Sequence, residues 1–397
     1  MATASLSPET MNDTTSRAAT GKILVCLPMM STEQTTEIVH YLLHAFDASQ
    51  LVFAGAQESS DYHSVSYAPA RTQLQWVLGA SDYLAAAALS QQQQATAVLL
   101  LGTDTTTLPL EGLRSMVDTV SSGIDLVVPM YPLEPHDALV TKAIIYPLTR
   151  TLFTTDIELA LPADVALSPR MLARLAQLAR RAQSAGTESL IWPVAEAAIA
   201  GYQVRQVAMP HRVLPGPTEA DLNALLAAVA GSLFADIEAK ASYWQRGRAV
   251  LNESTPGTTA DQTFPVIDTD EIASMLDAFQ LASNNLTELW AIVLPPQSLL
   301  AVKKLSRLPA AEFSFDASLW ARVVYDFVLA FHARTLNRSH LLGAMTPLYL
   351  AWVASYIRAV GDDRERAARQ AENVAQAFER EKPYLVARWR WPDRFNP

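Results

Sequence analysis

Short apolar runs alternate with helix-patterned segments from about residue 22 to 245, and this alternation constrains the fold more than any other feature of the chain. Ile23–Leu27, Leu51–Ala54, Ala97–Leu101, Leu126–Pro129 and Val204–Ala208 are rich in Val, Leu and Ile and bounded by Gly, Pro or polar residues, so they read as strands. Runs without an apolar/polar alternation suit strands covered on both faces. The stretches between them, such as Thr32–Phe46 and Asp82–Gln91, have helical composition. A β-α alternation of this kind implies an α/β domain with a mostly parallel sheet, whose ligands sit beyond the carboxyl ends of the strands.

Thr218-Glu219-Ala220-Asp221 reads as a capping box with Asp in place of Glu. Leu222, Leu225, Leu226, Val229, Leu233 and Ile237 follow at helical spacing, so one helix is expected from there to about Trp244. Residues 1–20 are rich in Ser and Thr without an apolar block and read as a disordered leader. Residues 21–247 form the expected nucleotide-binding domain. Residues 248–263, centred on the polar stretch Asn252–Gln262, form a linker. Residues 264–397 form an α-helical C-terminal domain, with helices over Asp268–Leu294, Asp316–Thr335, Leu341–Val360 and Arg364–Trp389. The last is dense in Arg, Glu and Ala, so most of its surface reads as a solvated, ion-paired face. The apolar C-terminal helices also offer a homodimer contact.

Charge and cysteine content narrow the function. With 30 Lys and Arg against 40 Asp and Glu the net charge is -10, and no basic stripe is present to neutralise nucleic-acid phosphates. An anionic substrate therefore needs local help. Cys26 is the one cysteine, which excludes an intramolecular disulfide and a cysteine zinc cage, and its apolar neighbours make it a core thiol. Leu341–Ile357 carries no charge but is short for a bilayer and holds Gly343, Thr346, Pro347 and Ser355, so a buried helix is expected rather than a membrane span. The cytoplasm is the expected compartment. No G-x-G-x-x-G, Walker A, H-E-x-x-H or G-x-S-x-G motif occurs. His40 and His44, four apart on a helix without a zincin Glu, read as an exposed face.

Four places can carry chemistry. Val98–Asp104 delivers the carboxylate of Asp104 to the tip of a strand, where it either ligates Mg²⁺ or Mn²⁺ on a diphosphate or caps a turn. His211 follows another strand and reaches the same edge of the sheet, with Arg212 beside it; it is a nitrogen ligand for a Mn²⁺-type site or a structural loop histidine. In His136–Arg150, Asp137 and Thr141 suit the gripping of a small polyol, and Lys142 and Arg150 offer charge for an anionic acceptor. The same stretch also reads as a helix with Ile144, Ile145 and Leu148 facing the core. Leu161-Pro162-Ala163-Asp164 places one more carboxylate after an apolar segment, where Asp164 orients a hydroxyl or closes a surface turn.

Together these stretches resemble the GT-A-fold glycosyltransferases that make glucosylglycerate, glucosyl-3-phosphoglycerate and mannosylglycerate. The resemblance runs from about Ile23 to Trp391. It rests on Ala143–Phe153 (AIIYPLTRTLF), Asp137–Thr141, His211-Arg212 before Ala220-Asp221-Leu222, Ser318–Asp326 and Thr346–Tyr349. It implies a GT-A-like domain and a retaining transfer of a hexose from a nucleoside-diphosphate sugar to a small hydroxy acid such as glycerate. Asp104 and His211 would hold the divalent metal, Pro28 and Asp104 would contact the nucleotide, Asp137 and Thr141 the acceptor, and Asp164 would be the catalytic acid. Three departures stand out. The D-x-D motif is Gly102-Thr103-Asp104, the Asn-Glu motif after the first strand is Pro28-Met29-Met30-Ser31-Thr32-Glu33, and a Gly-Lys-Gly stretch is Gly79-Ala80-Ser81 without lysine. They leave open a GT-A-like binding or regulatory protein without catalysis and, more remotely, a nucleotidyltransferase.

Overall fold

The computed structural model describes residues 21–28, 32–55, 60–67, 77–102, 108–184, 190–209, 222–246 and 269–391. Its α/β part runs β1 (Lys22–Cys26), α1 (Thr32–Leu43), β2 (Leu51–Gly55), β3 (Ser64–Ser66), α2 (Ala80–Gln93), β4 (Ala95–Leu100), α3 (Leu110–Ser121) and β5 (Leu126–Met130). A π-helical turn (Thr141–Ile145) leads into α4 (Tyr146–Phe153), followed by β6 (Val165–Leu167), α5 (Pro169–Ser184), α6 (Pro193–Ala200), β7 (Val204–Ala208), α7 (Leu222–Ala239) and α8 (Ala241–Trp244). Beyond it lie α9 (Thr269–Asn285), α10 (Thr287–Val293), α11 (Pro296–Leu305), a 3₁₀ turn (Ala310–Glu312), α12 (Ala317–Ala333), α13 (Arg338–Val360) and α14 (Arg364–Arg390).

The seven strands form one sheet in the order β3-β2-β1-β4-β6-β5-β7. All pairings are parallel except those of β6, which lies antiparallel between β4 and β5. Successive side chains on a strand point to opposite faces, so each central strand feeds two cores. Ile23, Val25, Leu99 and Val127 pack with α1 and α3 on one face. Leu24, Cys26, Val98, Leu100 and Val128 pack on the other, in a core that continues through α4 and α7 into α12, α13 and α14. The mostly parallel sheet followed by helices is therefore as the sequence implies, and Cys26 is a fully buried core thiol whose pKa burial pushes up.

Several expectations are corrected. The helix expected to reach Trp244 breaks at Lys240, and α8 turns back so that Trp244 Nε1 donates to the carbonyl of Ile237 at 2.9 Å. The Thr218 cap lies outside the described residues. The span expected over Asp268–Leu294 is two helices, interrupted at Leu286. Leu341–Ile357 falls in α13, where most positions, including Leu348, Trp352 and Tyr356, are buried. Among the described residues one helix, α7, is long and apolar enough to cross a membrane; here Leu226, Val229, Leu233 and Ile237 are buried, and the helix packs against α12 and α13.

The C-terminal helices are tied to the α/β part by polar as well as apolar contacts. Trp320 Nε1 donates to the carbonyl of Ala143 at 2.8 Å, and Tyr356 Oη to that of Pro135 at 3.2 Å. Both reach the segment just after β5, where the candidate site lies.

Candidate active-site cleft at the carboxyl edge of the sheet

A cleft of about 360 Å³ opens beyond the carboxyl ends of β5 and β7, where α/β sheets place their ligands. Met130, Tyr131, Pro132 and Leu133 run out of β5 to form its floor, and Met209 closes it beside β7. Lys142 and Tyr146, from the π turn and α4, form one wall with Glu158. The first turns of α14 form the other, with Arg364, Ala367, Ala368, Ala371 and Glu372. The small alanines on this face leave the space open.

Under the floor lies Asp164. Because β6 runs antiparallel to its neighbours, the start of β6 lies at the carboxyl edge of the others, with Val165 paired to Leu100. Asp164, one residue earlier, is completely buried. Its Oδ1 accepts from Gly102 N–H at 2.9 Å and its Oδ2 from Tyr131 Oη at 2.9 Å. The surface-turn alternative for Asp164 is thus overturned: this carboxylate joins the ends of β4 and β5 beneath the cleft, two residues before Asp104.

Asp104, His211 and Arg212 lie outside the described residues. Their flanks do meet. Gly112 of α3, the helix that follows the Asp104 loop, has Met209 packed against its bare Cα so closely that a Cβ there would overlap the Met209 sulfur. Pro28 is buried just past β1 at the same edge, although it does not line the cleft.

The segment Glu134–Arg150 separates into distinct roles. Asp137 is exposed, and its Oδ2 accepts from Glu134 N–H at 3.2 Å, which closes a turn; Ala138 follows in the left-handed region at φ 51°. Thr141 opens the π turn, in which Tyr146 N–H donates to the Thr141 carbonyl, five residues back. Neither Asp137 nor Thr141 is among the residues that line the cleft. Ile144, Ile145 and Leu148 face the core as expected of a helix. Arg150, an expected charge for an anionic acceptor, is committed elsewhere. It donates to Glu372 Oε1 from Nη2 at 3.0 Å, to Glu379 Oε1 from Nε at 2.9 Å and to Tyr146 Oη at 2.8 Å.

Lys142 does reach the cleft. Its Nζ donates to the carbonyls of Glu134 at 2.8 Å and Pro135 at 3.1 Å. Burial lowers its pKa, opposed by the charges of Glu158, Asp137 and Glu134. Glu158 is displaced the other way, raised by burial and by Asp156 and opposed by Lys142. Glu158 carried no signal in the sequence, because it sits in the loop between α4 and β6 outside any motif, and only tertiary packing brings it beside Lys142. The α14 wall was equally hidden, although Ala367, Ala371, Val374 and Phe378 recur at helical spacing and mark its buried side.

Among the described residues no group of three or more His, Cys, Asp or Glu side chains could hold a metal ion. The described part of the cleft therefore supplies no metal cage, and Asp104 and His211, the expected metal ligands, lie outside the described residues.

No family model matches the chain, and no curated protein matches it. Similar solved structures include a mycobacterial protein, 16% identical with a TM-score of 0.36 over 55% of this chain and 74% of that one. Others are the glucosyl-3-phosphoglycerate synthase of Mycobacterium tuberculosis with Mg²⁺ and uridine diphosphate, at 15% identity and TM-score 0.36 over 55% and 79% of the two chains. The same enzyme with Mn²⁺, uridine-diphosphate-glucose and phosphoglyceric acid is 16% identical, with a TM-score of 0.34 over 55% and 79%.

Proposed function

We propose that the protein is a cytoplasmic glycosyltransferase that moves a hexose from a nucleoside-diphosphate sugar to a small hydroxy acid such as glycerate, with retention at the anomeric carbon. The observation that carries this reading is the position of the cleft. It opens at the carboxyl edge of the sheet between the ends that lead to Asp104 and His211, and it holds a buried cation, Lys142, that makes no ion pair with a carboxylate among the described residues. The sequence resemblance supplies the donor class, and the lysine supplies a reason for an anionic acceptor.

On this reading the bond from the acceptor oxygen to the anomeric carbon forms as the bond from that carbon to the diphosphate breaks, and the hydroxyl proton leaves with the diphosphate. A divalent ion, Mg²⁺ or Mn²⁺, held by Asp104 and His211 would offset the charge that builds on the leaving group. Pro28 would pack against the nucleotide from the end of β1. Asp164 is a positioning residue: it fixes the backbone at Gly102, and so the approach to Asp104, and it fixes Tyr131 in the floor. Asp137 and Thr141 shape the turn that carries Lys142 into the wall, so the acceptor is oriented and the reaction becomes effectively intramolecular.

A thermal-shift series with nucleoside diphosphates and sugar nucleotides, with and without Mn²⁺, tests this. One nucleotide should stabilise the wild-type protein only with the metal, and Asp104→Ala should abolish that shift. Equal metal-dependent stabilisation of Asp104→Ala would remove Asp104 from the site. A metal-dependent shift without transfer or slow hydrolysis of the donor would favour the non-catalytic alternative, which the missing first Asp of the D-x-D motif and the missing lysine near Gly79 motivate.

A further inference from the structure

Four charged side chains line the cleft, and the contacts they already make decide which of them a ligand can use. Arg364 is paired with Glu134, Nη2 to Oε1 at 2.6 Å and Nε to Oε2 at 3.1 Å. Glu372 is held by Arg150 and by Gln376, whose Nε2 donates to its Oε1 at 2.7 Å. Lys142 donates to two carbonyls and lies over the Tyr356 ring, 6.0 Å from its centroid, so among the described residues one of its three N–H donors makes no hydrogen bond. Among the described residues the Glu158 carboxylate, half-buried at the cleft wall, accepts no hydrogen bond. The lining thus carries two cations and two carboxylates, and only one charge of each sign lacks a hydrogen-bonded partner of opposite charge.

We propose that Lys142 and Glu158 form a charge-selecting acceptor site, in which the ammonium takes the carboxylate of a small hydroxy acid and the Glu158 carboxyl takes one of its hydroxyls. The site admits a monocarboxylate and refuses its phosphate ester. This rests on the reading of the cleft as the acceptor site and adds which acceptors it takes. A carboxylate on Lys142 relieves the cost of burying an ammonium whose hydrogen bonds go only to carbonyls. The Glu158 carboxylate, which accepts no hydrogen bond among the described residues, is free to accept one from that hydroxyl. A phosphate dianion would need several donors of positive charge, but Arg364 is already committed to Glu134 and Arg150 to Glu372 and Glu379. Glu158 and Glu372 would repel it in a partly desolvated space, where like charges interact more strongly than in water.

Calorimetry on the full chain with glycerate and 3-phosphoglycerate as probes, each alone and with uridine diphosphate and Mn²⁺, tests the assignment. Wild-type protein should bind glycerate at least tenfold more tightly than the ester. Lys142→Met should weaken glycerate at least tenfold. Glu158→Gln, which keeps the shape of a side chain without bonds to lose, should admit the ester and narrow the ratio at least threefold. Thermal melts of both variants establish that they are folded. A wild-type preference for the ester, no binding of either probe, or an unchanged ratio in folded Glu158→Gln overturns the proposal. Sugar transfer is assayed separately with uridine-diphosphate-glucose. Absent transfer with intact discrimination refutes the transferase reading alone, and transfer without discrimination refutes the charge-selecting site alone.

Discussion

Asp326 offers a sharp test of how the C-terminal helices are held. It lies in α12 with no exposed surface, facing α14. Its Oδ1 accepts from Tyr384 Oη at 2.6 Å and from Arg388, while its Oδ2 has no hydrogen-bond partner among the described residues. Arg322 of the same helix and Ser298 of α11 complete its surroundings. Desolvation outweighs these favourable groups and pushes its pKa up to about 7. An unfolded Asp titrates near about 3.9. The folded state therefore holds this proton more tightly than the unfolded state. Its contribution is fully present below about pH 4 and is lost as pH rises toward 7. Each pH unit in that window corresponds to about 1.4 kcal/mol, or about 4 kcal/mol across all of it. Asp326→Asn removes the titration. Urea midpoints at pH 5, 6, 7 and 8 should fall with pH for the wild-type protein more steeply than for Asp326→Asn, and the two curves should run parallel above about pH 8. Parallel profiles from pH 5 to 7 would refute the claim that burial dominates over Arg388. Arg388→Leu should extend the wild-type decline to higher pH and cost about 3–5 kcal/mol at pH 8, because it leaves a buried carboxylate unpaired.

Three further outcomes follow from contacts around the cleft. Asp164→Ala removes an acceptor from Gly102 N–H and Tyr131 Oη, and should cost about 2–5 kcal/mol in urea denaturation. Asp164→Asn keeps one acceptor and should cost about half as much. Arg150→Met should destabilise by about 2 kcal/mol, since Glu372 and Glu379 are partly exposed and solvent screens them, and should speed amide exchange in the first half of α14. Ala138→Gly should raise the melting temperature slightly, by the equivalent of up to about 1 kcal/mol, because Ala138 sits at φ 51° where only glycine is unstrained.

The sheet was largely legible in the sequence. Val204–Ala208 coincides with β7, and the runs at Ile23, Leu51, Ala97 and Leu126 each fall on a strand within two residues of its bounds. β1, β2, β4 and β5 are buried on both faces along nearly all their length, so composition alone marks them, whereas β7 is a partly exposed edge strand marked by its place after a helix. The two that were missed have physical reasons. β3 is a three-residue edge strand of Ser-Val-Ser with no apolar run. β6 is also three residues long, and nothing local shows that it inserts antiparallel between β4 and β5. α11 was hidden behind Pro295 and Pro296, which read as a break but place a proline in its first turn, where its missing N–H costs nothing. The site was legible only in part. The region around Asp137 to Arg150 was singled out, yet the division of labour within it is tertiary: α14 takes Arg150 and leaves Lys142 to the cleft. Glu158 and the alanine face of α14 enter through packing between segments more than 200 positions apart, which no local pattern encodes.

The π turn at Thr141–Ile145 makes the length of this segment as consequential as its composition. A π turn holds one residue more than the α-helical turn it replaces, and the surplus rotates the side chains before it relative to those after it. Deletion of one residue here would let the helix run regularly from Val140 into α4. The core face of Ile144, Ile145 and Leu148 could then be kept only by turning the preceding residues about 100° around the axis. Lys142 would swing away from the carbonyls of Glu134 and Pro135 and out of the wall. The shorter chain would gain a better helix and lose its cation in the same event. Insertions and deletions at this point, as well as substitutions, are therefore changes by which a chain of this fold would gain or lose the lysine of this wall.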